Sequence, residues 1–230
     1  MLILGLTSST ASVGVAIAAD GHVLASRQAK TDRRHAEEIT PMIEAVLASA
    51  GVSIRTIDRL AVDVGPGRFT GLRVGLATAR GLALALDRPV VGVSSLELLG
   101  AAHDERPLVA VIDARRNEVF QQTFGSDGTV SDAIVGNPAE LGSALPRGAI
   151  VVGDGADRYA EYYGDSVLPG RDPLAEQLVR LAAYRPALAG HLVEPLYLRD
   201  PDVQVNIKTR LTPVVPRRRR GTAGKGKGAV

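Results

Sequence analysis

Apolar positions in the first hundred residues follow two different periods. Residues 3–6 form a short apolar run, and 13–17 and 23–25 follow as strand candidates, with Asp20-Gly21 between them as a hairpin turn. The period then lengthens. Over residues 35–50, Ala36, Ile39, Ile43, Val46, Leu47 and Ala50 form a stripe at helical spacing, with Glu37, Glu38 and Glu44 outside it. Residues 70–86 are also helical, and from Leu72 to Leu86 only Arg73, Thr78 and Arg80 are polar. Residues 60–64 and 89–93 read as strands. Hairpins first and crossovers later predict a mixed sheet with helices packed on it.

The pattern restarts after a short helix, LELLGAA, that Ser94 or Ser95 is placed to cap. Residues 108–113 and 119–124 flank the turn ARRN and predict a second hairpin. Residues 149–152 predict a further strand and 173–184 a helix. No strict short-period repeat is visible.

The 230 residues suffice for one large domain or two small lobes with a core, and 45% are hydrophobic. Cysteine is absent, which removes disulfides, thiolate nucleophiles and Cys-ligated metals. The start MLILGLTSS lacks a basic region and a signal-length apolar core, and no apolar run approaches a membrane span. The expectation is a cytoplasmic chain without membrane contact. The net charge of +2 hides an asymmetry: Arg217 to Arg220, Lys225 and Lys227 lie in a Gly-rich tail. Setting those six aside leaves 21 of the 27 basic residues against 25 acidic ones. The body is therefore mildly acidic. The tail, behind Pro213 and Pro216, reads as a solvated, disordered end.

Four motifs carry candidate chemistry. LGLTSST is a strand and polar turn that can present hydroxyls and N–H groups to a phosphate. The residue ending the strand is Thr7, which cannot anchor a hard cation as a carboxylate would. VDVGPGRFTGLRVGLATARGLALAL runs a strand through Gly65-Pro66-Gly67 into a helix, with Thr70 as expected N-cap. No Walker lysine follows. A helix apolar nearly all round needs a cover on both sides. Gly71, Gly75 and Ala79, four apart, form a groove for close helix approach, with Arg73 and Arg80 on one stripe. The second cover is either a partner or this chain's own second half. In HAEEITPMIEAVLASAG, Pro41 is expected to kink the helix or mark a first turn. His35 has Thr31 and Ile39 at i±4, so a structural or interface role outweighs metal binding. VIDARRNEVF and VVGDGA place acids and glycines near turns. Asp113 and Glu118 are open to acid–base work, and Gly153 and Gly155 face either a phosphate or a helix cap. GxSxG is absent.

In GPGRFTGLRVGLATARGLA, supported by LGLTSST, HAEEITPMI, VGVSSLELL, VIDARRNEVF and EPLYLR at 194–199, the chain resembles the TsaB (YeaZ) family. That family is the non-catalytic, dimerising subunit of bacterial threonylcarbamoyladenosine synthesis on tRNA. The resemblance implies an α/β, two-lobed actin-like fold with mixed sheets, of the ASKHA, ribonuclease H-like class. The expected division is an N-terminal lobe 1–103 carrying partner-binding helices, a smaller lobe 104–200, and the tail 201–230. It implies a partner interface of His35, Ile39, Met42, Val46, Gly71, Arg73, Gly75, Leu76, Ala79 and Arg80. A remnant nucleotide site would comprise Thr7, Ser8, Ser9, Gly65, Gly67, Gly153 and Gly155. No catalytic residue, metal or cofactor is expected. Implied partners are a catalytic TsaD-type subunit, a TsaE-type ATPase, a second copy in isolation, and tRNA indirectly or through weak tail contacts. The family usually has Asp where this chain has Thr7. The rival reading is an ATP-dependent sugar or acyl kinase on the same fold.

Overall fold

The computed structural model describes residues 1–31, 34–168 and 172–199. The basic tail lies outside them. Residues 1–199 form one compact unit. Strands β1 (Leu2–Thr7), β2 (Ser12–Ala19) and β3 (His22–Lys30) make an antiparallel meander. The turn Asp20-Gly21 has positive φ at both residues, as a two-residue hairpin requires. Helix α1 (His35–Ala50) leads to β4 (Arg59–Asp63), α2 (Phe69–Leu86) to β5 (Val90–Val93), and α3 (Ser95–Ala101) closes the first half. The sheet order is β3-β2-β1-β4-β5, with β4 and β5 parallel to β1.

The second half repeats that plan. Strands β6 (Leu108–Arg115), β7 (Glu118–Phe124), β8 (Ile134–Gly136) and β9 (Ile150–Val152) form a sheet ordered β8-β7-β6-β9, with β9 parallel to β6. Helix α4 (Pro138–Ser143) takes the crossover, α5 (Asp154–Arg158) and α6 (Ala160–Tyr163) follow β9, and α7 (Ala175–Ala182) comes last. The repeat lies in strand order and direction rather than in sequence.

Period-2 alternation sorts the first sheet's two faces. Leu4, Leu6, Val15, Ile17, Leu60 and Val62 pack against the α1 stripe Ile39, Ile43, Val46 and Leu47 and against Leu76, Ala79 and Ala83 of α2. Each such side chain contributes about 1.5–3 kcal/mol relative to exposure. The opposite face, with Ile3, Ala16, Ala61 and Val91, is covered by α7 through Leu178 and Val179. A helix of the second half thus belongs to the first sheet. Helix α3 divides its side chains, with Leu98 toward the first sheet and Leu96 and Leu99 toward the second. Ser94 caps it in a capping box with Glu97.

Two local expectations change. The N-cap of α2 is Arg68 rather than Thr70, because the helix begins two residues earlier than the capping pattern suggests. Pro41 sits inside α1, which continues through it to a left-handed Gly51. The run-length expectation also needs correcting: α2 is long and apolar enough, by length and composition, to cross a membrane. Here it lies on the sheet.

The last described segment is a strap. Leu188 bridges to the edge strand β5, and the Leu196 N–H donates to the Val64 carbonyl at 2.7 Å. Leu198 packs into the second sheet's core, and Arg199 pairs with Glu118 of β7. The strap is bonded to both sheets.

Candidate functional site

Two tight turns meet where β1 and β4 end. Ser9 donates its hydroxyl to one carboxylate oxygen of Asp63, and Ser95 donates to the other. The Gly65 N–H adds a third donor at 2.9 Å. Asp63 is fully buried; burial pushes its pKa up, and these donors push it back down. Ser8 donates to the Gly71 carbonyl at 2.8 Å, the Arg68 N–H donates to the Ser9 carbonyl at 2.6 Å, and His35 Nε2 donates to the Thr10 carbonyl at 2.9 Å. The turn predicted to offer hydroxyls to a phosphate is buried, with its Ser8 and Ser9 groups spent inside the chain. A Cβ added to Gly67 would lie 2.2 Å from the Ser9 carbonyl oxygen, so the glycine turn sits directly on the serine turn. Thr7 Oγ1 is buried without a hydrogen-bond partner.

The equivalent corner of the second sheet is built differently. Gly153 and Gly155, expected at a phosphate or a cap, lie against β6: their added Cβ atoms would stand 2.2 Å from the Val111 oxygen and 2.8 Å from the Ile112 carbonyl carbon. They let α5 approach the strand, and Gly153 is the N-cap. Between them Asp154 accepts from the Asp113 N–H at 3.0 Å. Its pKa is pushed up to about 6, first by burial and then by the charges of Asp172 and Asp113. Arg115 and Arg158 stand 3.3 and 3.6 Å from the Asp113 carboxylate. An open cleft of about 240 Å³ lies here, lined by Asp113, Asp154, Asp157 and Asp172 and by Lys30, Arg68, Arg115 and Arg158. The two signs are balanced in number. Among the described residues, no three histidine or carboxylate side chains converge to hold a metal ion.

The helices α1 and α2 distribute the expected interface residues unevenly. Ile39, Met42, Val46, Leu76 and Ala79 are buried in the chain's own core, because the apolar stripe faces the sheet. Gly71 and Gly75 do not form an outward groove. Their added Cβ atoms would meet the Ser8 carbonyl oxygen at 2.1 Å and Ser8 Oγ at 2.2 Å. His35 is buried beside Gly71. Arg80 turns to the strap and donates to the Val193 carbonyl at 3.1 Å. Arg73 alone of the ten stands on the surface. The outward side of α2 comprises Phe69, Thr70, Arg73, Ala77, Gly81, Leu84 and Ala85, with Leu84 86% exposed. Beside it α1 exposes Glu37, Thr40, Glu44 and Ala48. Ala77, Gly81 and Ala85 have the same four-residue spacing as the buried glycines, so spacing could have found them. It could not say which stripe faces the sheet.

Comparison with known proteins places this geometry. The family model described as TsaD, tRNA N6-adenosine threonylcarbamoyltransferase, matches residues 22–141. The chain is 35% identical to the uncharacterized protein ML0378 of Mycobacterium leprae, over 88% of this chain and 56% of that protein, so it spans little more than half of that relative. It is 31% identical to the tRNA threonylcarbamoyladenosine biosynthesis protein TsaB of Escherichia coli, over 87% of this chain and 95% of that one. The solved YeaZ from Pseudomonas aeruginosa superposes with a TM-score of 0.75 at 29% identity, covering 85% of this chain and all of that one. The fold is the two-lobed actin-like one, and the chain belongs to the TsaB (YeaZ) family.

Proposed function

We propose that this chain is a non-catalytic subunit in tRNA threonylcarbamoyladenosine biosynthesis, acting by binding a catalytic TsaD-type subunit through the outward sides of α1 and α2. One observation carries the reading: the corner where an actin-like protein would handle a nucleotide is filled by its own Ser9–Asp63–Ser95 bonds and by Gly67 against Ser9. A corner closed in this way supports packing rather than turnover. The outward side of α2 supports the binding half of the reading. Phe69 and Leu84 leave large apolar surface in water, and such surface marks interaction sites. The working assembly includes a TsaE-type ATPase, the chain pairs with a second copy in isolation, and it works in the cytoplasm. Contact with tRNA is indirect, or weak and salt-sensitive through the basic tail. In this reading the N-terminal lobe, 1–103, supplies the binding helices and the smaller lobe, 104–200, carries the second sheet.

Reconstituted tRNA modification, run with and without this chain, tests the proposal. The chain alone shows neither metal-dependent ATP turnover nor transfer, and omitting it abolishes modification. Ala77→Glu stays folded by circular dichroism and loses the TsaD-type partner. ATP turnover that follows the purified protein and disappears in Asp113→Asn would instead establish the kinase reading.

A further inference from the structure

Outside the closed corner and the cleft, Arg73 is the side chain whose surroundings are least explained by the fold. Helix α2 contains no acidic residue, so Arg73 has no acid to pair with along its own helix. One turn earlier, Phe69 lies beneath the guanidinium, 3.7 Å from ring centroid to Cζ. From the strap, the Tyr197 hydroxyl accepts from Nε at 3.2 Å. Phe69 and Tyr197 also touch each other, with centroids 5.9 Å apart, and remain 54% and 45% exposed. Stacking fixes the plane of the guanidinium, and the Nε bond fixes its rotation within that plane. Its two terminal nitrogens are left over, and among the described residues no acceptor meets them.

We infer that Arg73 is a preoriented receptor for a carboxylate on a partner subunit, and that Tyr197 is the residue that positions it. The inference rests on the reading that the outward side of α2 meets a partner. The carboxylate follows from desolvation. A partner that covers Phe69 and Tyr197 strips water from the guanidinium between them, and an apolar cover would leave a buried, unpaired cation. An Asp or Glu side chain accepting from both terminal nitrogens satisfies the fork and its geometry together. Two aromatics around one arginine is also the composition of an interface anchor. The neighbouring helix supports an acid as the counterpart. The outward side of α1 carries Glu37 and Glu44, and the TsaD family model matches the stretch that holds both helices. A sister subunit with a helix pair of the same kind therefore has a suitable place for such an acid.

The test is titration of the full chain with the TsaD-type subunit of the same genome, using wild type, Arg73→Lys, Arg73→Ala, Tyr197→Phe, the Arg73→Ala/Tyr197→Phe pair, and Ala77→Glu, all checked for folding by circular dichroism. Lysine keeps the charge but not the fork, so Arg73→Lys should weaken binding about tenfold or more. Tyr197→Phe should cost about three- to tenfold in the wild-type background and nothing further in the Arg73→Ala background. Wild-type affinity in Arg73→Lys, or an equal Tyr197→Phe cost in both backgrounds, overturns the inference. If Ala77→Glu abolishes binding while the Arg73 variants bind normally, the fork falls and the docking face stands. If Ala77→Glu also binds normally, or wild type does not bind, both fall.

Discussion

The two sheets share a strand plan, yet the corners where β1 and β6 end have opposite fates. At the first, a carboxylate is sunk among three donors from its own chain, and the adjoining turns are in contact through glycine. At the second, Asp113 stays at a cleft, flanked by two half-exposed arginines and three further aspartates. The same plan thus yields a packed joint in one copy and an open, charged hollow in the other. What separates them is side-chain size and bonding at a few positions, not topology.

The largest effect is expected where that joint is tightest. Gly71→Ala puts a methyl 2.1 Å from the Ser8 backbone oxygen, which cannot swing aside as a side chain would. A loss of about 3 kcal/mol or more in denaturant titration is expected. Unchanged stability would mean the first corner is as open as the second. At the open corner the sign reverses. The folded-state pKa of Asp154 is raised from 3.8 to about 6, so its contribution is fully present below pH 3.8 and is lost as pH rises through about 6. Asp154→Asn keeps an acceptor for the Asp113 N–H without the buried charge. It should be more stable than wild type at pH 8 by up to about 3 kcal/mol and equal to it at low pH. A melting curve for wild type that is flat between pH 4 and 7 would remove the difference between the corners.

Ser95→Ala takes one donor from Asp63 and should cost about 1–3 kcal/mol. Arg115→Ala takes a partner from the other strand-end region, but Arg115 is 51% exposed and its pairing with Asp113 is screened by solvent. A cost under about 1 kcal/mol is expected. If Ser95→Ala and Arg115→Ala have equal effects, burial is not what distinguishes the two sites.

Much of the first sheet was legible in the chain. The switch from period 2 to helical spacing marks β1 to β5 and both long helices, because each is long enough to show its period. The second half was less so. Strand β8 has three residues, and α4, α5 and α6 have six, five and four, all too short for a stripe to register. At the site, composition identified Ser8, Ser9, Gly67, Gly71 and Gly75 as unusual but not what they meet. A hydroxyl that can bind phosphate can equally bind a neighbouring carboxylate, and a glycine that admits a partner helix can equally admit the chain's own turn. That choice is made in tertiary packing. The strap shows the same limit: EPLYLR has no period, and its contacts with Val64, Phe69 and Arg73 join residues far apart in sequence.

The strap and α7 also bear on how the protein is made. A nascent chain that ends at Val93 carries every strand of the first sheet. It lacks the helix that covers Ile3, Ala16, Ala61 and Val91, and the Leu188 bridge to the edge strand. Translation delivers those parts only near the end of the described chain. N-terminal segments commonly fold first on the ribosome, but here the first sheet, complete at Val93, waits for a helix that begins only at Ala175. Until α7 has been made, the face with Ile3, Ala16, Ala61 and Val91 stays uncovered, and transiently exposed apolar surface of this kind is prone to aggregate.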